Sequence, residues 1–373
     1  MRWVRCAVAA ESQDLTRQTA RHGVLRTPIC DLFGIEVPII QTGMGWVAGP
    51  RLVSATATAG ALGILASATM TLDELRSAIS EVKSRTDCPF GVNLRSDHGE
   101  VDRFVDLLLT EHVAVASFAQ APNERLIKRL RDGGVRTMPT IAARRHAEKV
   151  VAWGVDAVIA QGHEGGGHTG AVPTSLLLPQ VAEAVGVPVV GAGGFFDGRG
   201  LVAALAWGAA GVAMGTRFLL TKESTVPEAV KARYLEAAVT DTVVTRAVDG
   251  YPQRVIRTPM VDRLERSLPG VRLARASANA VRLRRLTSTP LPALIREGLA
   301  MRRGGDLTWA QTAMAANAPM LTRAALVGGK LDAGILPTGQ VAGLIDELPS
   351  VADLIEQMMA EASETLDRLC AHD

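Results

Sequence analysis

Aromatic residues are scarce, at 4% of 373 residues, while Ala, Val, Leu and Gly abound within a hydrophobic content of 47%. That leaves little for a core built on rings and favours β/α units, in which buried parallel strands meet close-packed helices. The four cysteines, Cys6, Cys30, Cys88 and Cys370, are scattered and show no metal-ligand spacing. Neither a zinc site nor a disulfide framework is expected, and reduced thiols suit a cytoplasmic protein. The formal net charge is only +2, which gives no global field for nucleic acid. Long apolar runs are missing too, so no membrane span is expected. Met1–Arg21 carries Arg2, Arg5, Glu11, Asp14 and Arg17 in place of the apolar stretch of a signal peptide.

What is present is an alternation. Short β-branched runs occur at Val37–Gln41, Leu62–Leu65, Phe90–Leu94, Val113–Ser117, Val135–Met138, Ala157–Gln161, Val187–Val190 and Gly211–Met214, and each is followed by a helical stretch. Thr71-Leu72-Asp73-Glu74 reads as a helix start; Asp132-Gly133-Gly134 and Trp153-Gly154 read as stops. Eight unbroken βα units predict a closed (β/α)8 barrel (TIM barrel), with a doubly wound open sheet as the competing architecture. The expected organisation is an N-terminal arm over 1–24, the barrel over 25–245, a helical lid over 246–350 and a C-terminal helix over 351–373. Twelve arginines fall between Arg254 and Arg303, which makes the expected lid arginine-rich. They suit charge-assisted binding of phosphates, a solvated basic face or an oligomer contact.

In such barrels function sits on the loops that follow the strands. The first strand ends in Gln41-Thr42-Gly43-Met44-Gly45, either a tight turn or a place where bare backbone approaches a planar ligand. The seventh ends in Gly191-Ala192-Gly193-Gly194 and the eighth in Met214-Gly215-Thr216-Arg217, at the usual phosphate position of this architecture. A phosphorylated cofactor or substrate is therefore expected. The sixth strand runs into Gln161-Gly162-His163-Glu164-Gly165-Gly166-Gly167-His168-Thr169-Gly170. So many glycines cost chain entropy, so this loop must pass close to something. It brings two imidazoles to the mouth, with His168 the candidate acid/base and solvated histidines the alternative. Asn93 and Gln161 are candidates for hydrogen bonds to the edge of a pyrimidine-like ring, or are satisfied core amides. A phosphosugar aldolase or isomerase barrel would want a lysine or a carboxylate pair at the strand ends, and neither is seen there.

These motifs, together with Gly91-Val92-Asn93 and Met214-Gly215-Thr216-Arg217-Phe218, resemble the nitronate monooxygenase (2-nitropropane dioxygenase-like) FMN proteins from about Leu25 to Leu348. The resemblance implies FMN as cofactor, with Gly43 and Met44 against the flavin and Asn93 and Gln161 bonded to its ring system or ribityl chain. Gly166 and Gly167 would line the cofactor, and Gly193, Gly194, Gly215 and Thr216 would hold its phosphate. His168 matches the catalytic histidine, and Gln340 lies in a segment that returns to cover the site. Within the family, Gly43–Gly49, Leu65–Leu72, Gly165–Gly170 and Gly194–Gly200 resemble flavin-dependent dehydrogenases of steroid C/D-ring breakdown that oxidise a hydroxylated indanone carboxyl-CoA. That implies proton removal by His168, hydride transfer to flavin and a nicotinamide (NAD(P)) or quinone as final acceptor. Nitronate oxidation with O2, an enoyl-thioester reductase and a non-catalytic flavin- or phosphate-binding module are the alternatives.

Overall fold

The computed structural model describes residues 25–119, 122–267 and 317–371. Eight parallel strands close a barrel in the order β1 (Ile39–Gln41), β2 (Leu62–Ala66), β3 (Phe90–Leu94), β4 (Val115–Phe118), β5 (Arg136–Ile141), β6 (Val158–Gln161), β8 (Val189–Ala192) and β9 (Gly211–Met214). Closure is by β9 on β1, with Ile40 opposite Ala213. The open-sheet alternative is thereby excluded. Every predicted strand is present, with ends shifted by a few residues; the largest extension is β5, which continues through Pro139 to Ile141.

The helices form where the capping chemistry dictates. Thr71 Oγ1 accepts from the Glu74 amide while the Glu74 carboxylate accepts from the Thr71 amide at 2.6 Å, a reciprocal capping box that starts Leu72–Arg85. The predicted stops hold as well: Glu124–Asp132 and Arg144–Ala152 end just before Gly134 and Gly154, both at positive φ.

Apolar residues inside the barrel, among them Ile40, Leu62, Ile64, Val115, Met138, Ile159 and Val190, join Ile29, Cys30 and Phe33 in one buried cluster. The latter three come from the short helix Pro28–Phe33, which plugs the end where the strands begin: Thr27 Oγ1 donates to the Ala210 carbonyl, next to the start of β9. A second cluster fills the layer between strands and helices. With that end of the barrel sealed by side chains, the C-terminal mouth is the end open to a ligand.

The expected C-terminal helix is present as Val351–Cys370 and packs against Gly198–Ala206, where the Gly198 amide donates to Glu361 Oε2 at 2.9 Å. The segment expected to be a helical lid is not wholly helical. It opens with β11 (Gln253–Ile256), which pairs with β10 (Thr242–Thr245) and with β7 (Gly167–His168) in a three-stranded antiparallel sheet outside the barrel. The expected boundary at 245/246 therefore falls inside a hairpin. Helices Pro259–Arg266 and Asn317–Leu326 follow. The arginines from Arg272 to Arg303 lie outside the described residues. No helix of the described residues is long and apolar enough to cross a membrane.

Candidate active site

The loop after β6 folds back as the two-residue strand β7, and β11 gives it a partner, His168 opposite Gln253 and Gly167 opposite Arg254. His168 is thus held in a ladder. Gln161 donates from Nε2 to the His168 carbonyl at 2.7 Å, closing the loop on itself. The imidazole Nε2 lies 2.8 Å from Asp249 Oδ2; the His168 side chain is 60% exposed and that of Asp249 only 4%. Gln253 Nε2 donates to the same carboxylate oxygen at 2.7 Å, and the Tyr251 amide donates to Oδ1 at 3.1 Å. The Tyr251 ring meets the imidazole edge to face, with centroids 6.0 Å apart. Partial burial and the nearby Asp249 and Asp97 carboxylates raise the Tyr251 phenol above its ordinary range, which keeps it protonated.

Asp249, Tyr251 and Gln253 were not singled out in the sequence. Their only local signal is Asp249-Gly250-Tyr251-Pro252, which reads as a turn. His163 takes a different part from His168. Its Nδ1 lies 2.7 Å from the Gly170 carbonyl, which can only accept, so the ring staples the loop.

The glycines of this loop give way mainly to other protein. An ideal Cβ on Gly166 would lie 2.5 Å from the Thr338 carbonyl carbon and 2.6 Å from the Gly339 nitrogen. The segment that returns over the site crosses here, tied by Gln340 N–H to the Glu164 carbonyl at 3.1 Å, Gly339 N–H to Thr216 Oγ1 at 2.9 Å and Thr338 N–H to the Arg254 carbonyl at 3.2 Å. Gln340 is thereby brought to the loop by its backbone. Arg254, expected among phosphate-binding arginines, is instead 4% exposed. It donates to the His163 carbonyl at 3.0 Å and to Thr242 Oγ1 at 2.9 Å. Burial lowers its guanidinium below the ordinary value. Arg257 pairs with Asp262 at 2.9 Å and Arg263 donates to the Asp332 carbonyl.

The remaining strand ends make the opposite side of the mouth. Gly43 lies so close to β3 that a Cβ would meet the Asn93 Cβ at 2.5 Å, and a Cβ on Gly215 would come within 3.3 Å of Met44 Sδ. The strand-one loop, Asn93 and the β9 loop are therefore contiguous. Asn93 uses its amide nitrogen on Ser117 Oγ at 2.7 Å, whereas Gln41 Oε1 is buried with no partner. Gly193 and Gly194 both take positive φ, at 91° and 87°, and the Cβ of an alanine at 194 would find only Glu164 side-chain carbons, at 3.7 Å or beyond. Thr216 Oγ1 accepts from Gly339 and so keeps its hydroxyl hydrogen for a further acceptor. Arg217 is buried and turned to Glu347, 3.8 Å away, which fits a supporting role behind the loop. Gly193 is close to the β6 loop, where a Cβ would lie 2.9 Å from the Gly165 nitrogen, but open backbone at Gly194, the spare Thr216 hydroxyl and the orphan Gln41 carboxamide oxygen suit a ring carrying a phosphate.

Comparison with known proteins gives the family. The model of the family described as nitronate monooxygenase matches residues 26–104 and 99–361. The chain belongs to the nitronate monooxygenase family. Within reach of this family member are two proteins named (3aS,4S,5R,7aS)-5-hydroxy-7a-methyl-1-oxo-octahydro-1H-indene-4-carboxyl-CoA dehydrogenase. That of Mycobacterium tuberculosis is 59% identical, over 91% of this chain and 96% of the relative. That of Rhodococcus jostii is 56% identical, over 93% and 98%. Among solved structures, FabK from Thermotoga maritima is 36% identical with a TM-score of 0.75, covering 93% of this chain and 99% of its own.

Proposed function

We propose that this nitronate monooxygenase family member is an FMN-dependent dehydrogenase that oxidises the ring hydroxyl of a hydroxylated indane carboxyl-CoA thioester. The observation that carries the proposal is the half-exposed His168 held at 2.8 Å on a buried carboxylate at the rim of a glycine-lined mouth. The near full-length likeness to two dehydrogenases of that substrate supports the choice of thioester.

FMN, when bound, supplies the acceptor for the hydride of the carbinol carbon, with NAD(P)+ or a quinone as the final oxidant. The residues that would hold FMN are Gly193, Gly194, Gly215 and Thr216 for the phosphate and Gly43, Met44, Asn93 and Gln161 for the ring system or ribityl chain, with Gly166, Gly167 and Gln340 in the wall beside them. His168 removes the hydroxyl proton as the carbon–hydrogen bond breaks, so the alcohol becomes a ketone with no charge left on oxygen. The segment at 338–340 crosses the β6 loop at Gly166 and fixes the backbone that leads into β7.

The test is an absorbance spectrum of the purified protein followed by anaerobic titration. Bleaching of a flavin band by the hydroxylated indane carboxyl-CoA, and not by nitroalkane, is the expected result. Bleaching by nitroalkane alone would restore nitronate oxidation, and a protein that takes up no FMN on reconstitution would sink the proposal. His168→Ala keeps FMN and loses turnover by several orders, on the order of 10³ or more, because the phosphate loops stand apart from β7.

A further inference from the structure

We infer that Asp249 is the positioning residue of this reaction: it fixes His168 in the tautomer protonated on Nε2 and so leaves Nδ1 as the nitrogen that takes the substrate proton. The identity of that proton rests on the dehydrogenase reading; the tautomer does not. A carboxylate accepts and cannot donate, so the 2.8 Å contact between Asp249 Oδ2 and Nε2 puts the imidazole hydrogen on Nε2; the Gln253 amide nitrogen, 3.3 Å from Nε2, gives its hydrogen to the same Oδ2 at the shorter 2.7 Å.

Three further observations hold the ring in that pose. The His168 backbone is paired with Gln253 across β7 and β11, its carbonyl is bound by Gln161, and the Tyr251 ring packs against it at 84°. Turning the imidazole over would put carbon where Nε2 meets the buried carboxylate and leave that carboxylate with only the Gln253 and Tyr251 donors. Among the described residues no hydrogen bond takes up Nδ1, and the side chain as a whole is 60% exposed. After proton transfer the imidazolium faces a carboxylate already in place, which lowers the cost of developing charge without any group having to move.

Asp249→Asn is the informative change because the native residue accepts on both oxygens: from Tyr251 N–H on one, and from His168 and Gln253 on the other. An asparagine satisfies only one side. With its oxygen kept for Tyr251, its NH2 donates to Nε2 and drives the hydrogen to Nδ1, the wrong tautomer for a base.

The experiment uses FMN-loaded protein labelled with 15N-histidine, at a pH where imidazoles are neutral. The resonance missing from His168→Ala identifies His168 among the seven histidines. Long-range 1H–15N correlation should show it protonated on Nε2 in the native protein and redistributed toward Nδ1 in Asp249→Asn. With the hydroxylated indane carboxyl-CoA, kcat of that variant should fall roughly 10³–10⁴-fold, with KM within about threefold and the flavin spectrum unchanged, and Asp249→Glu should recover part of the loss. Native His168 protonated on Nδ1, or full kcat in Asp249→Asn, overturns the inference. Absence of turnover by the native protein would count against the dehydrogenase reading alone, because the tautomer is read without substrate.

Discussion

Gly166→Ala separates two reasons for a glycine in the β6 loop: closeness to the cofactor, or closeness to the chain that crosses it. The added Cβ would stand 2.5 Å from the Thr338 carbonyl carbon, and ordinary contact begins at 3.4 Å, so the 338–340 segment must retreat by about 0.9 Å. The obstacle is backbone on both sides, which has no rotamer to change. Overpacking of this kind costs about 1–3 kcal/mol. Retreat also stretches the three bonds that tie the segment to Glu164, Thr216 and Arg254, at about 1 kcal/mol for each one lost. A loss of about 2–5 kcal/mol follows, or a fall of about 3–6 °C in melting midpoint at roughly 1.3 °C per kcal/mol for a domain of this size. The assay is thermal unfolding of apo and FMN-loaded protein at one scan rate. The expected result is a similar drop in both forms. An unchanged apo midpoint together with weakened FMN binding would refute the steric account and show that the glycine makes room for the cofactor.

Two more outcomes follow from buried polar contacts. Tyr234 is fully buried and donates from Oη to the Pro337 carbonyl at 2.9 Å; burial raises its phenol far above the ordinary value. The folded state therefore keeps a proton that the unfolded chain gives up near pH 10, so this contribution is complete below pH 10 and is lost above it at about 1.4 kcal/mol per pH unit. Tyr234→Phe should lose about 1–3 kcal/mol at neutral pH and show a shallower alkaline limb in denaturant titrations; equal slopes would contradict this. Arg254→Met removes the guanidinium that binds the His163 carbonyl and Thr242. A loss of about 2–4 kcal/mol is expected from the charge-assisted bonds, with kcat falling more than FMN affinity; a kcat held at the native value would show that the loop is fixed without it.

The barrel was legible because each buried strand is a short apolar run between turn signals, and because the Thr71–Glu74 box and Gly154 mark helix ends by local chemistry. Strand ends were less so: register with a neighbour, such as Phe118 opposite Pro139, decides where pairing stops. His168 and the glycine loops could be found because glycine excess is costly and demands a close approach. What lay close could not be read, since Thr338 is far along the chain from Gly166. Asp249 was illegible for the same reason: its meaning comes only from an antiparallel pairing that joins positions 81 residues apart. The helical expectation for 246–350 failed at its start because arginine content says nothing of the β11 partner that β7 requires.

The pairing of β7 with β11 divides the protein's inheritance in an uneven way. The loops proposed to grip a cofactor belong to the repeating barrel, whereas the carboxylate, phenol and amide around the imidazole arrive from the hairpin after it. A lineage can therefore redraw that hairpin and change what the histidine does while its cofactor loops stay untouched. Barrel motifs alone therefore say nothing of what surrounds the imidazole.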